Sequence, residues 1–178
     1  MKKIILSALI ALAIAAPAFA RGLITQGSNE LSLSGSIDPC TTMGTSIDLG
    51  ARYGYFFWDY ISLGPTFSFY NNDDMTSVGI GVGGEYNFAI SDDYRPVIGT
   101  DFVPYVGLGL SLQYSDLPKE SNTAGVLSVE GGLKFFLSDT AAVTTSLIGR
   151  LATDDVYADG SDSDSYDILV HLGMRFYF

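Results

Sequence analysis

Ten charged residues are spaced so that their side chains could act together: Glu30, Asp48, Arg52, Glu85, Asp101, Glu130, Lys134, Arg150, Asp167 and Arg175. His171, the single histidine, shares their setting. Each lies within or beside a run of alternating apolar residues, and all ten charges fall on the parity opposite the apolar ones. Catalysis by such groups needs a nucleophile or an orienting partner within reach. No Ser-His-Asp arrangement, glycine-rich phosphate loop or Cys/His cluster supplies one. The sequence therefore predicts a non-enzymatic protein with no catalytic residue, metal ligand or cofactor. Mixed signs on one face can instead pair. The expectation is an interior hydrogen-bonded network of Glu30, Asp48, Arg52, Glu85, Glu130, Lys134, Arg150, Asp167, His171 and Arg175. The alternative is that each charge meets trapped water independently.

The elements that must position these groups are strands. No segment after residue 20 carries a helical stripe, and apolar residues recur with period two. Eight such runs appear, beginning near Leu31, Ile47, Ile61, Val78, Phe102, Leu127, Val143 and Tyr166. Polar, turn-rich connections follow the odd-numbered runs: 38–42, 71–74, 115–123 and 153–164. Between them stand the short turns at Trp58-Asp59 and Ser138-Asp139-Thr140, and a longer connection, Ala89–Thr100. Alternating short turns and long loops suit an up-and-down barrel. On that topology Glu30, Arg52, Glu85, Lys134 and Arg175 lie toward the end holding the termini. Asp48, Glu130, Arg150 and His171 lie nearer the middle.

Residues 1–20 read as a secretory signal peptide. Lys2 and Lys3 precede an apolar run, Ile4 to Ala16, and Ala18-Phe19-Ala20 is a small-x-small cleavage site. Residues 21–178 then form one domain. Loss of Lys2 and Lys3 leaves seven basic against twenty acidic residues, a net −13. Such a surface excludes nucleic acid as a partner, since phosphates attract basic patches. Cys40 has no second cysteine with which to pair inside the chain.

Alternation alone leaves open which face is out. A soluble periplasmic ligand-binding barrel turns the apolar parity inward, and a membrane barrel turns it to lipid. Two features favour lipid. The polar parity is mostly Gly, Ser and Thr, as in Gly79, Gly81, Gly83, Gly107, Gly109 and Ser111, where a soluble exterior would carry dense Lys and Glu. Aromatics on the apolar parity gather near run ends, as interfacial girdles do: Tyr53, Tyr55, Phe57, Tyr86, Phe88, Tyr114, Tyr166, Phe176 and Phe178. The predicted fold is an all-β, eight-stranded antiparallel up-and-down transmembrane β-barrel.

The segment His171-Leu172-Gly173-Met174-Arg175-Phe176-Tyr177-Phe178 resembles the terminal strand of bacterial outer-membrane barrels. Phe102-Val103-Pro104-Tyr105-Val106-Gly107-Leu108-Gly109 and Gly131–Asp139 are similar to two further strands of that group. The chain thus resembles the small outer-membrane β-barrel superfamily of OmpX-, Ail- and OmpA-barrel type. The resemblance implies outer-membrane localisation, a monomer, and contact with outer-membrane lipid and lipopolysaccharide. It implies Phe176 and Phe178 as a signal to the outer-membrane assembly machinery. It further implies a role in envelope integrity or surface interaction with an extracellular ligand or host protein. A narrow channel for small solutes is the alternative. Outer-membrane lipid A deacylases share this size class but carry a His-x-Ser pair, and here His171 is followed by Leu172-Gly173. His171 is therefore expected to be structural. The acidic stretch Asp154–Asp164 does not match the twelve-residue calcium loop, having no closing glutamate, and reads as a solvated loop. A divalent cation bridging it to lipopolysaccharide stays open as a hypothesis.

Overall fold

The computed structural model describes residues 24–41, 44–71, 75–88, 102–116, 121–159 and 162–178. The signal segment 1–20, Asp101 and the connection Ala89–Thr100 lie outside them. Ten strands run in order: β1 (Asn29–Thr41), β2 (Gly44–Trp58), β3 (Ile61–Asn71), β4 (Thr76–Asn87), β5 (Phe102–Asp116), β6 (Ser121–Ser138), β7 (Ala141–Ala152), β8 (Tyr157–Asp159), β9 (Asp162–Asp164) and β10 (Tyr166–Tyr177). Eight close into one barrel, each paired with its chain neighbour, and β1 meets β10 to complete the ring. That seam pairs Leu31 with Phe176 and Leu33 with Met174. The remaining two strands, β8 and β9, form a small hairpin in the loop between β7 and β10. The reading of Asp154–Asp164 as a solvated loop holds for the exposed Asp154 and Asp155 and is corrected at Val156 and Tyr157. Val156 is fully buried and Tyr157 nearly so, against Ala124, Val126 and Ala152.

Strand length fits a membrane. Twelve residues in β10, rising about 3.3 Å each and tilted about 40°, span about 30 Å. The turns between β2 and β3 and between β6 and β7 are tight, two residues each. Tyr60 takes φ 68° to make the first of them. Tyr60 is held there by its amide donating to Ile24 and its carbonyl accepting from Asn87.

The apolar parity points outward. Ile80, Leu108, Leu110, Leu112, Ile168 and Leu172 are each more than 60 % exposed. Glu30, Glu85, Lys134 and Arg175 are buried inside. This is the reverse of a soluble protein, where charges stay wet and large aliphatic side chains are covered. The soluble alternative needs an apolar cavity, and among the described residues the interior is lined largely by charged and small polar side chains. It is polar because hydrocarbon outside accepts the apolar face, and charge there costs several kcal/mol.

The interior is narrow enough that backbones and small side chains meet. A Cβ on Gly81 would press into the Leu110 carbonyl and the Ser111 backbone. One on Gly131, which faces outward, would meet nothing. Gly81→Ala is expected to cost about 1–3 kcal/mol through overpacking. Gly131→Ala is expected to be neutral or to gain about 0.5–1 kcal/mol from backbone entropy. Urea unfolding from lipid vesicles measures both, and equal costs would contradict the close approach.

Candidate interior site

Antiparallel register brings the charged positions of distant strands to common depths. At the end holding the termini, Glu30 on β1 and Glu85 on β4 each touch the same three cations. Arg52 on β2 donates to Glu30 at 2.6 Å and Glu85 at 2.7 Å. Arg175 on β10 donates to both at 2.6 Å. Lys134 on β6 donates to Glu30 at 2.7 Å and also pairs with Glu85. The side chains of Glu30, Glu85 and Lys134 are fully buried, and those of Arg175 and Arg52 nearly so. Glu130 stands 3.8 Å from Arg175. Three carboxylates therefore face three cations, and the set is formally neutral. Neutrality with short bonds is what makes buried ions tolerable.

Tyr105 and Tyr177 complete this cluster, and sequence reasoning did not select either. Tyr105 donates to Glu130 at 2.5 Å. Its ring lies under Arg175 at 4.4 Å and Lys134 at 5.2 Å. Tyr177 lies 5.6 Å from Lys134 and stacks on Phe136 with ring centroids 5.4 Å apart. Phe56, Ala142 and Tyr177 form a buried apolar layer beneath the ions, with Ile24 and Phe136 packed against it. The available signal was an aromatic on the polar parity near a strand end. Tyr105→Phe keeps the ring and loses the charge-assisted bond, so a loss of about 1.5–3 kcal/mol is expected. An unchanged urea midpoint would show that Glu130 finds water instead.

A second, looser cluster lies further along the barrel. Arg150 on β7 is 3.3 Å from Asp48 on β2 and 3.7 Å from Asp167 on β10. His171 Nε2 is 3.4 Å from Asp48. The ten predicted residues thus form two groups, not one network. Glu130 belongs with the terminal group rather than with the middle one, because Tyr105 and Arg175 reach it. Between the groups lies a polar cavity of about 140 Å³, walled by Ser32, Thr66, Ser68, Ser111, Ser128 and Ser146. Arg52, Arg150, Arg175, His171 and Glu130 also border it.

At the loop end, Val156 and Tyr157 of the loop between β7 and β10 enter the barrel mouth. The Ser115 hydroxyl lies 3.2 Å from the Val156 carbonyl and 3.0 Å from the Ser77 hydroxyl, and its single proton is shared between these two acceptors. Gln113 donates to Ser77 at 2.8 Å and accepts from Tyr157 at 3.4 Å. Burial pushes the Tyr157 phenol up to about 12, so it remains a donor at neutral pH. Among the described residues no group of three or more His, Cys, Asp or Glu is placed to hold a metal ion. Phe176 and Phe178 both lie on the outward parity, Phe178 being 60 % exposed.

No curated protein matches the chain by sequence. Solved structures share its architecture. The N-terminal β-barrel domain of Pseudomonas aeruginosa OprF superposes with a TM-score of 0.61 at 20 % identity, over 86 % of this chain and 98 % of that one. Neisserial surface protein A gives 0.60 at 15 %, over the same shares. The outer membrane protein OprG of Pseudomonas aeruginosa gives 0.52 at 13 %, covering 86 % of this chain and 97 % of that one. At these identities the likeness is one of fold. The family described as outer membrane protein beta-barrel domain matches residues 5–176. With its apolar exterior, ion-filled interior and closed ring of eight strands, the chain belongs to the bacterial outer-membrane β-barrel family.

Proposed function

We propose that this is a non-enzymatic, non-conducting outer-membrane protein that supports envelope integrity and presents its loops to the surroundings. The observation that carries this reading is the filled lumen. The six-ion cluster and the aromatic layer occupy the end holding the termini, which is periplasmic by the short-turn rule. Both are held by contacts too close to admit a solute. In this reading the six-ion cluster of the predicted network closes the barrel, and the looser Asp48, Arg150, Asp167 and His171 group ties strands together along the wall; both set strand register. Cleavage after Ala20 releases the mature chain to the periplasm, and the terminal strand with Phe176 and Phe178 addresses it to the assembly machinery. The partners are outer-membrane lipid, lipopolysaccharide and, through the loops, an external ligand or host surface.

The narrow-channel reading draws on one observation, the Ser- and Thr-lined cavity. The two readings part in a deletion strain. Loss of an integrity protein raises uptake of large hydrophobic dyes, with uptake of small solutes unchanged. Loss of a channel slows small-solute uptake, with dye exclusion intact. Fractionation with boiled and unboiled gels tests the placement, and an intact mass beginning at Arg21 tests the cleavage.

A further inference from the structure

The two ends of the barrel are filled by different means. The periplasmic end is closed by strand residues, with multiple short ion pairs and a buried aromatic layer. At the other end, among the described residues, a loop enters the mouth. Val156 and Tyr157 sit inside the mouth on Ala124 and Val126, tied by neutral bonds from Ser115 and to Gln113. Asn122 donates to the Asp155 carbonyl at 3.2 Å, and Gly125 and Thr153 exchange bonds at the hinge. Beneath the plug lies the cavity, bordered by Asp48's partners Arg150 and His171 and floored by Arg52 and Arg175. Neutral bonds and two side chains hold less free energy than a buried ion cluster, so this end opens first.

We propose that Val156 and Tyr157 form a lid on a blind pocket that opens only to the outside. With the lid seated, Val156 and Tyr157 cover Val126 and Gln113 at the rim of the cavity. With it withdrawn, small neutral hydroxylated molecules enter and reach the serine- and threonine-lined wall, but do not pass through. The ligand class follows from charge. The exposed carboxylates Asp154 and Asp155 flank the lid and repel anions. The charges bordering the cavity are already paired, Arg52, Arg175 and Glu130 in the neutral six-ion set and Arg150 with Asp48 and Asp167, so the wall offers an ionic guest no free counter-charge. The cavity has room for about five waters, which limits the guest to glycerol-like size. This inference rests on the closed periplasmic end proposed above.

The test places one thiol in the cavity, Ser111→Cys, with Cys40→Ser so that no other thiol is present. Neutral methyl methanethiosulfonate and its cationic aminoethyl and anionic sulfonatoethyl forms are applied to intact cells. Val156→Gly with Tyr157→Gly is expected to speed neutral modification about tenfold or more. Both charged reagents should stay slower, with no conductance appearing in planar bilayers. Ser115→Ala, which loses only the bonds to Val156 and Ser77, should give a smaller rise in the same direction. The unboiled gel shift shows that each variant is folded. Equal neutral rates with and without the lid residues overturn the lid. Charged reagents reacting as fast as the neutral one overturn the ligand class. Conductance in the lid variants overturns the blind end and the closed-lumen reading, leaving the lid itself in place.

Discussion

Glu30→Ala is expected to lower the free energy of unfolding by about 3–5 kcal/mol, the cost of breaking a buried ion pair from one side. Glu30 is fully buried and receives Arg52, Lys134 and Arg175 at 2.6–2.7 Å. Its removal leaves three buried cations facing Glu85, with Glu130 reaching only Arg175 at 3.8 Å. No water-accessible position is open to Lys134, whose side chain is fully buried. Glu85→Ala removes the matching carboxylate and should cost a similar amount. Arg52→Ala should cost less, because its side chain is 11 % exposed and Lys134 and Arg175 still serve both carboxylates. Thermal or urea unfolding in detergent measures the series. A wild-type midpoint in all three variants would mean that the ions are separately hydrated.

Leu110→Arg is expected to cost about 2–4 kcal/mol, and Tyr114→Arg only about 0–1 kcal/mol. Both side chains point outward from β5, at 61 % and 50 % exposure. Leu110 lies near the middle of the strand, Phe102–Asp116, and Tyr114 near its loop end. In water two exposed positions on one strand would accept arginine alike, since surface substitutions rarely exceed about 0.5 kcal/mol. A depth-dependent penalty therefore reads hydrocarbon directly. Reversible unfolding from lipid vesicles gives both values, and equal small costs would contradict the lipid-facing exterior.

Period-two alternation was enough to place all eight barrel strands, because a strand with one lipid face and one polar face must alternate. The parity of the nine charges within the described residues was equally legible, since hydrocarbon forbids them on the other side. Depth was less so. Glu130 sits with the terminal cluster because strand tilt and the Gly107–Glu130 pairing carry it toward Tyr105 and Arg175. Tilt is a property of barrel closure and leaves no mark on one strand's sequence. Tyr105, Phe56, Phe136 and Tyr177 went unselected because inward aromatics break the polar pattern only locally. Val156 and Tyr157 were hidden for a different reason. Two apolar residues among five aspartates look solvated until the barrel mouth supplies something to cover them.

The closed lumen is tested most directly by planar-bilayer conductance of the purified, folded barrel. The account predicts no resolvable channel steps for the wild-type protein, because the six-ion cluster and the layer of Phe56, Phe136 and Tyr177 block the periplasmic end. Stable, reproducible steps from protein that runs as a single heat-modifiable band would contradict it.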